Sequence, residues 1–479
     1  MNQSKKYFMK TKKTKIISTI GPSSNHPNII SRLIKKGMDL ARINMAHTSD
    51  EKKIKKLIDM IRKESKKLDK HVGILMDIAG PKIRVDFSNT GKEELQITKN
   101  HIYQMGFNKI NDIPINLDIE FKAKKNEQAV VKIDDGKITF KILSIRNNIL
   151  KLKATNFGVI KTNKGINFPN VELEIPTITK KDKEDINLGI KYGVDWFALS
   201  FVRKADDVKP FMNILKKEKK FIPVIAKIEK PEAINNLNEI IGKFNGILIA
   251  RGDLGVEETL ARVPVLQKDI IKKCKDAKKP VIVATQILES MIENPTPTRA
   301  EVNDVANAVY DAVDAVMLSG ETAVGEYPIE AVSIMSDIIN DVEKTIIFKD
   351  ERVKKTKNDN RNAIGHSVRL ISSSMDIDGI VVMSESGATA RIVSHFRPNV
   401  NIYGLSPHIY ICNRMSLLWG VIPIHTKSYL TTDDMLINAE KILLNKKYMK
   451  KGQTFVLTAG VPVGVSGSTN MIQIQKIEK

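Results

Sequence analysis

Eight short runs of apolar, largely β-branched residues recur along the first two thirds of the chain, at 16–20, 40–43, 72–76, 194–201, 221–225, 246–249, 280–284 and 313–318. They show no regular alternation with polar residues, which is the pattern of strands buried on both faces. Between most of them lie segments with apolar residues at helical spacing, such as 232–244 and 298–310. Strand and helix alternating over eight units predict an α/β fold, a (β/α)8 barrel of the TIM type with helices covering an all-parallel sheet.

The alternation is interrupted once. Residues 85–176 carry short stretches of period two, for example 130–133 and 138–145, joined across the hairpin-turn sequence Asp134-Asp135-Gly136. This predicts a small β-barrel domain inserted after the third barrel strand, placed to act as a lid over the barrel mouth. After residue 345 a second strand–helix alternation begins, with strands expected at 379–383, 402–405, 421–424 and 454–458 and an edge strand at 471–477. The lysine-rich stretch 349–357 reads as a linker. The expected organisation is a basic tail over 1–13, a catalytic barrel from 14–84 and 177–345, an inserted lid over 85–176, and a C-terminal α/β domain over 346–479.

Composition narrows the partners. A chain of 479 residues exceeds one ordinary core, and its 42% apolar and 28% charged content suits soluble domains. No apolar run reaches the length of a membrane span, and the N-terminus lacks the apolar core of a secretory signal. Two widely separated cysteines, Cys274 and Cys412, suit a reduced, cytoplasmic protein. The net charge of +22 invites a nucleic-acid reading. Against it, six of the lysines fall within the first 15 residues, and only 5% of the chain is aromatic, too little for base stacking. Neither nucleic acid nor membrane is an expected partner; the charge suits attraction of anionic metabolites.

The chemistry concentrates where the runs end. Lys227 and Glu229 are two apart, so on a strand they share a face, and Asp253 is expected to end the next strand, beside Gly252. Lys-Ile-Glu alone reads as a surface ion pair; two carboxylates and a lysine at neighbouring strand ends suit a divalent cation holding a phosphorylated substrate. The other ends carry Ser18-Thr19, Arg42-Ile43-Asn44, Asp77 followed by Lys82 and Arg84, Ser200-Phe201, Thr285-Gln286 and Ser319-Gly320-Glu321. Cations, carboxylates and hydroxyls at one mouth make a phosphoryl-transfer inventory. No Walker A or GxGxxG sequence occurs, which a kinase holding phosphates through a metal does not require.

Several stretches, in this order and spacing, resemble the pyruvate kinase family. They are Thr14-Lys15-Ile16-Ile17-Ser18-Thr19-Ile20-Gly21-Pro22, Ala41-Arg42-Ile43-Asn44, Gly80-Pro81-Lys82-Ile83-Arg84, 250–255, 284–291, Thr298-Arg299-Ala300-Glu301 and 317–323. The resemblance implies transfer of the phosphoryl group of phosphoenolpyruvate to ADP, giving ATP and pyruvate, with Mg2+ or Mn2+. It implies that Glu229 and Asp253 ligate the metal. Lys227, Arg42 and Thr285 would be catalytic, and Arg42, Gly252, Asp253 and Thr285 would bind substrate. Asn44, His47, Arg84 and Lys164 match nucleotide-phosphate contacts, and Ser319 and Glu321 a proton relay. Barrel, lid and C-terminal effector-type domain are the family's architecture, and a homotetramer its assembly.

The chain departs from that pattern at the monovalent-cation site. Asn44 and Asp77 remain, but Ala46 and Ile78 stand where a Ser and a Thr supply oxygens, and Lys82 stands where potassium-dependent members carry Glu. The expectation is a degenerate site at Asn44, Asp77 and Lys82, with the Lys82 ammonium replacing K+. In the C-terminal domain, Ser384-Glu385-Ser386-Gly387-Ala388-Thr389 has two readings of equal standing: a cradle for a phosphorylated effector, or a helix cap with no ligand. Intact Lys227, Glu229, Asp253 and Arg42 speak against a relative kept only for regulation, and nucleotide-dependent turnover would separate this chain from a metal-dependent aldolase on the same barrel.

Overall fold

Eight strands form where the apolar runs fall: β1 (Lys15–Thr19), β2 (Leu40–Asn44), β3 (Gly73–Ile78), β4 (Trp196–Leu199), β5 (Val224–Ile228), β6 (Gly246–Ala250), β7 (Val281–Ala284) and β8 (Ala315–Leu318). In this computed structural model, which describes residues 12–48, 50–88, 90–107, 111–123, 129–169, 171–346, 359–462 and 469–478, they close into a parallel barrel when β8 pairs with β1 in the register Lys15↔Ala315. The anticipated linker at 349–357 and residues 1–11 of the basic tail lie outside the described residues.

The strands are apolar throughout because both faces are buried. Ile17, Leu40, Leu75, Trp196, Ala198, Ile225, Leu248, Ala250, Ile282, Ala284, Ala315 and Met317 fill the barrel interior. Their neighbours in sequence, such as Ile16, Ile74, Val224 and Ile249, pack outward against the helices. Two expected spans shift. The run at 194–201 gives a strand only over Trp196–Leu199, because Phe201 turns into the left-handed region (φ 56°). The run at 221–225 begins three residues late: Phe221 is 60% exposed, with the Arg414 guanidinium over its ring, and β5 continues through Lys227 to Ile228.

The insertion after β3 is a β domain around one core that includes Val85, Met105, Val131, Phe140, Leu150 and Leu152. It has a six-stranded sheet and two two-stranded ribbons. Its hairpin between Val130–Ile133 and Ile138–Arg146 turns at Asp134, Asp135 and Gly136, all at positive φ. The domain is seated on the barrel mouth. Arg203 donates to the Leu173 and Ile175 carbonyls (3.1 and 2.9 Å), the Lys132 amine reaches the Val256 carbonyl, and Asn167 donates to Glu257 (2.8 Å).

The C-terminal domain carries a five-stranded sheet whose last strand, Thr469–Lys476, is an antiparallel edge. It packs against the opposite end of the barrel. Leu417 joins the interior cluster, and Lys15 donates to the Val421 carbonyl at 2.7 Å. Lys12 and Lys13, read from sequence as tail, are held here. Lys12 pairs with Asp39, and the Lys13 backbone donates to Glu343 (2.7 Å) and accepts from Gly420 (2.8 Å). No helix among the described residues is long and apolar enough to cross a membrane.

Candidate active site

Strand periodicity builds the site. Side chains two apart share a face, so the interior row that holds Ile17, Leu40, Leu75, Ala198 and Ile225 continues upward to Thr19, Arg42, Asp77, Ser200, Lys227 and then Glu229. At the C-terminal end of the barrel the apolar filling gives way to an alternating chain of charge. Arg42 donates from Nε (2.8 Å) and Nη2 (2.6 Å) to Asp77 Oδ2, and from Nη1 to Thr19 Oγ1 (3.0 Å). Asp77 Oδ1 lies 3.3 Å from the Lys227 ammonium, which also donates to Ser200 Oγ (2.8 Å) and pairs with Glu229 Oε1 (2.9 Å). Glu229 Oε2 accepts the Phe201 amide at 2.7 Å. Arg42, Asp77, Lys227 and Glu229 are 8, 1, 9 and 1% exposed. Such a set persists only because each charge has an opposite within reach.

The ionisation of the group follows from these contacts. Burial opposes the Asp77 carboxylate, but Lys227 and Arg42 outweigh it and hold its pKa below the usual range. Burial likewise opposes the Lys227 ammonium, and Asp77 and Glu229 override it, so its pKa rises above that of a free lysine. Glu229 goes the other way: burial raises its pKa, Asp253 raises it further, and Lys227 only partly compensates. At the Glu229–Asp253 edge, burial and the second carboxylate therefore outweigh the nearby Lys227 ammonium. Among the described residues no group of three or more His, Cys, Asp or Glu side chains could hold a metal by itself. Two carboxylates plus substrate oxygens and water fit Mg2+, which keeps much of its coordination outside the protein.

Asp253 does not end a strand, as its sequence position suggested. It sits in the first turn of the helix Arg251–Glu257, which starts directly after β6. The Gly252 amide donates to Thr285 Oγ1 at 2.8 Å. Thr285 and Gln286 both have positive φ (67° and 53°), an unfavourable conformation for a β-branched residue. Arg251 pins this turn, donating to the Thr285 and Gln286 carbonyls (2.8 and 2.9 Å) while pairing with Asp304 (2.6 Å). Close approach fixes the glycine at the β1 exit: a Cβ on Gly21 would lie 2.6 Å from the Ala323 carbonyl oxygen.

The remaining expected residues fall into two groups. His47 lies among cations. Its pKa is lowered by burial first, then by Arg84, Arg42 and Lys82, a surplus suited to polyphosphate. Arg84 donates to the Asn163 carbonyl at 2.8 Å, and Asn44 Oδ1 accepts the Ala46 amide at 3.2 Å. Lys82 lies 3.2 Å from Asp253 Oδ1. Lys164 instead pairs with Asp134 at the lid hairpin (2.9 Å). Glu321, buried and with a raised pKa, accepts the Leu288 and Ser319 amides (3.1 and 2.7 Å) rather than the Ser319 hydroxyl, which is buried without a partner among the described residues. In the C-terminal loop Glu385 lies 3.0 Å from His408, and Thr389 meets Thr469 at 2.6 Å. Sequence reasoning left Ser200 and Thr19 without roles, although Thr19 ends β1 and Ser200 directly follows β4, in the same parity as Arg42 and Lys227.

Comparison with known proteins agrees with this architecture. The family model for the pyruvate kinase barrel domain matches residues 11–332, and that for the pyruvate kinase alpha/beta domain matches 362–475. A pyruvate kinase of Staphylococcus saprophyticus is 40% identical over 475 residues, covering 97% of this chain and 80% of its own. One from Staphylococcus aureus is 41% identical over 474 residues with the same coverage. The crystal structure of a pyruvate kinase from Cryptosporidium parvum superimposes with a TM-score of 0.87 at 31% identity, over 97% of this chain and 96% of that one. The chain belongs to the pyruvate kinase family.

Proposed function

We propose that this pyruvate kinase transfers the phosphoryl group of phosphoenolpyruvate to ADP through the interior charge cluster, with a divalent metal and without a potassium requirement. The buried chain Arg42–Asp77–Lys227–Glu229 carries the reading. Arg42, oriented by Asp77 and Thr19, grips the phosphoryl group, and Lys227 stabilises charge developing on it and on the enolate oxygen. Glu229 and Asp253 would hold Mg2+ or Mn2+, which would supply neutralisation of phosphate charge. Thr285, locked by the Gly252 amide, positions the substrate carboxylate. Asn44, His47 and Arg84 flank the nucleotide side, and Lys164 joins them by exchanging its Asp134 partner for phosphate.

The potassium reading rests on occupancy of the remaining oxygens. Both Asp77 oxygens are engaged by Arg42 and Lys227, and Asn44 Oδ1 takes the Ala46 amide. A cation there would compete with existing partners, while the Lys82 ammonium already supplies a positive charge beside Asp253. The test is pyruvate formation from phosphoenolpyruvate, ADP and Mg2+ at matched ionic strength, with and without K+. Full turnover without K+ is expected. Turnover only with K+ would overturn the Lys82 reading, and none in either from folded protein would overturn the enzyme reading.

A further inference from the structure

Outside the catalytic cluster, one buried charge joins three elements. Glu257 closes the helix that begins beside Asp253, and its side chain is 2% exposed. Its Oε1 accepts Asn167 Nδ2 from the lid at 2.8 Å and pairs with the Lys230 ammonium, itself 15% exposed. Lys230 directly follows Glu229. Glu257 lies four residues from Asp253, one helical turn, so the two occupy the same side of that helix. The preceding residue, Val256, receives the lid's Lys132 on its carbonyl. The segments carrying Glu229 and Asp253 are thus tied to each other and to the lid at one carboxylate.

We propose that Glu257 is a positioning residue that couples closure of the lid to occupation of the metal site, an inference resting on the assignment of Glu229 and Asp253 as metal ligands. At Glu257 the lid is held by a hydrogen bond from a neutral amide, which water can replace when the lid lifts, beside the Lys132 bond to the Val256 carbonyl and the Arg203 bonds to the Leu173 and Ile175 carbonyls. The Lys230–Glu257 pair is made wholly within the barrel and uses no lid residue. A metal drawn between Glu229 and Asp253 fixes the two segments that present Lys230 and Glu257, and so fixes the acceptor Asn167 must reach. By reciprocity, a seated lid raises the site's affinity for the metal.

The test uses the full chain, with Mn2+ as probe, and reads amide hydrogen exchange of lid segment 158–167 alongside Mn2+ binding by electron paramagnetic resonance. In the unaltered protein, Mn2+ is expected to slow exchange across that segment. Asn167→Asp, which places a carboxylate against Glu257, is expected to abolish the metal-dependent slowing and to weaken Mn2+ by about 5-fold or more, the low end of ordinary site coupling. The double variant Asn167→Asp/Glu257→Gln exchanges donor and acceptor, keeps one carboxylate for Lys230, and is expected to restore both readouts. Metal-dependent slowing that persists in Asn167→Asp, or a double variant no better than the single, would overturn the proposal. Neither readout needs turnover. Failure of Mn2+ to bind the unaltered protein would instead sink the metal-ligand assignment, and the coupling with it.

Discussion

Lys227 sits between two carboxylates that are themselves buried, and this decides how the site responds to its loss. Lys227→Met is expected to lower kcat by about 10²-fold or more, the usual cost of removing a donor aimed at developing charge. The same change frees Glu229 from its ammonium partner, so Mn2+ affinity should stay equal or rise. Steady-state kinetics with a Mn2+ titration checks both. Thr285 offers a second separation. Its left-handed backbone costs about 1–3 kcal/mol, while its hydroxyl's bonds from the Gly252 amide and to the Ala284 carbonyl contribute about 1 kcal/mol each. Thr285→Gly should therefore leave the melting temperature nearly unchanged and still depress turnover. The pairing of Lys227 with Glu229 was legible from their spacing, and Asp253 was expected beside them. The strained φ of Thr285 and Phe201 was not, because backbone strain is imposed by the packing of neighbouring loops.

At the scale of elements, the eight strands were readable because double burial leaves no polar position to confuse them, and the hairpin at Asp134-Asp135-Gly136 because its residues tolerate positive φ. Strand ends were less so. Phe221 is apolar yet belongs to the approach to β5, covered by Arg414 from another domain. Glu257 escaped notice for a related reason: its partners Asn167 and Lys230 come from distant segments, and only the four-residue spacing from Asp253 pointed to it. The helix Arg299–Tyr310 shows local and long-range cues agreeing. Thr298 and Glu301 form a reciprocal cap, and Glu301 also accepts the Ser290 amide at 2.8 Å from the loop after β7. Glu301→Ala removes its carboxylate's half of the cap and the Ser290 bond, leaving its backbone amide on Thr298 Oγ1. A cap contributes about 1 kcal/mol and each further hydrogen bond a similar amount. Calorimetry should show a barrel transition lowered by a few degrees, with the loop beyond Thr285 loosened.

For the whole molecule, the charge of +22 is partly placed at the seam between barrel and C-terminal domain. His395 lies there, and burial, reinforced by Arg397, Lys278, Lys275 and Arg391, pushes its imidazole down to about 3. The folded chain keeps this ring neutral, whereas the unfolded chain protonates it near 6.5. Its contribution is therefore fully present above that value and is lost as pH falls toward 3, by at most about 1.4 kcal/mol per pH unit. Thermal midpoints should fall between pH 7 and 4.5, and His395→Gln should flatten that slope.

The register Lys15↔Ala315 carries a consequence for the newborn chain. The first strand finds its second neighbour only after about 300 further residues have been made, the kind of long-range pairing that slows folding. Until then β1 keeps one open edge, and the clasp of Gly420 and Val421 on Lys13 and Lys15 arrives later still. The inserted domain, one contiguous stretch with its own core, can fold as soon as it leaves the ribosome. During synthesis, the cover is finished before the vessel it closes.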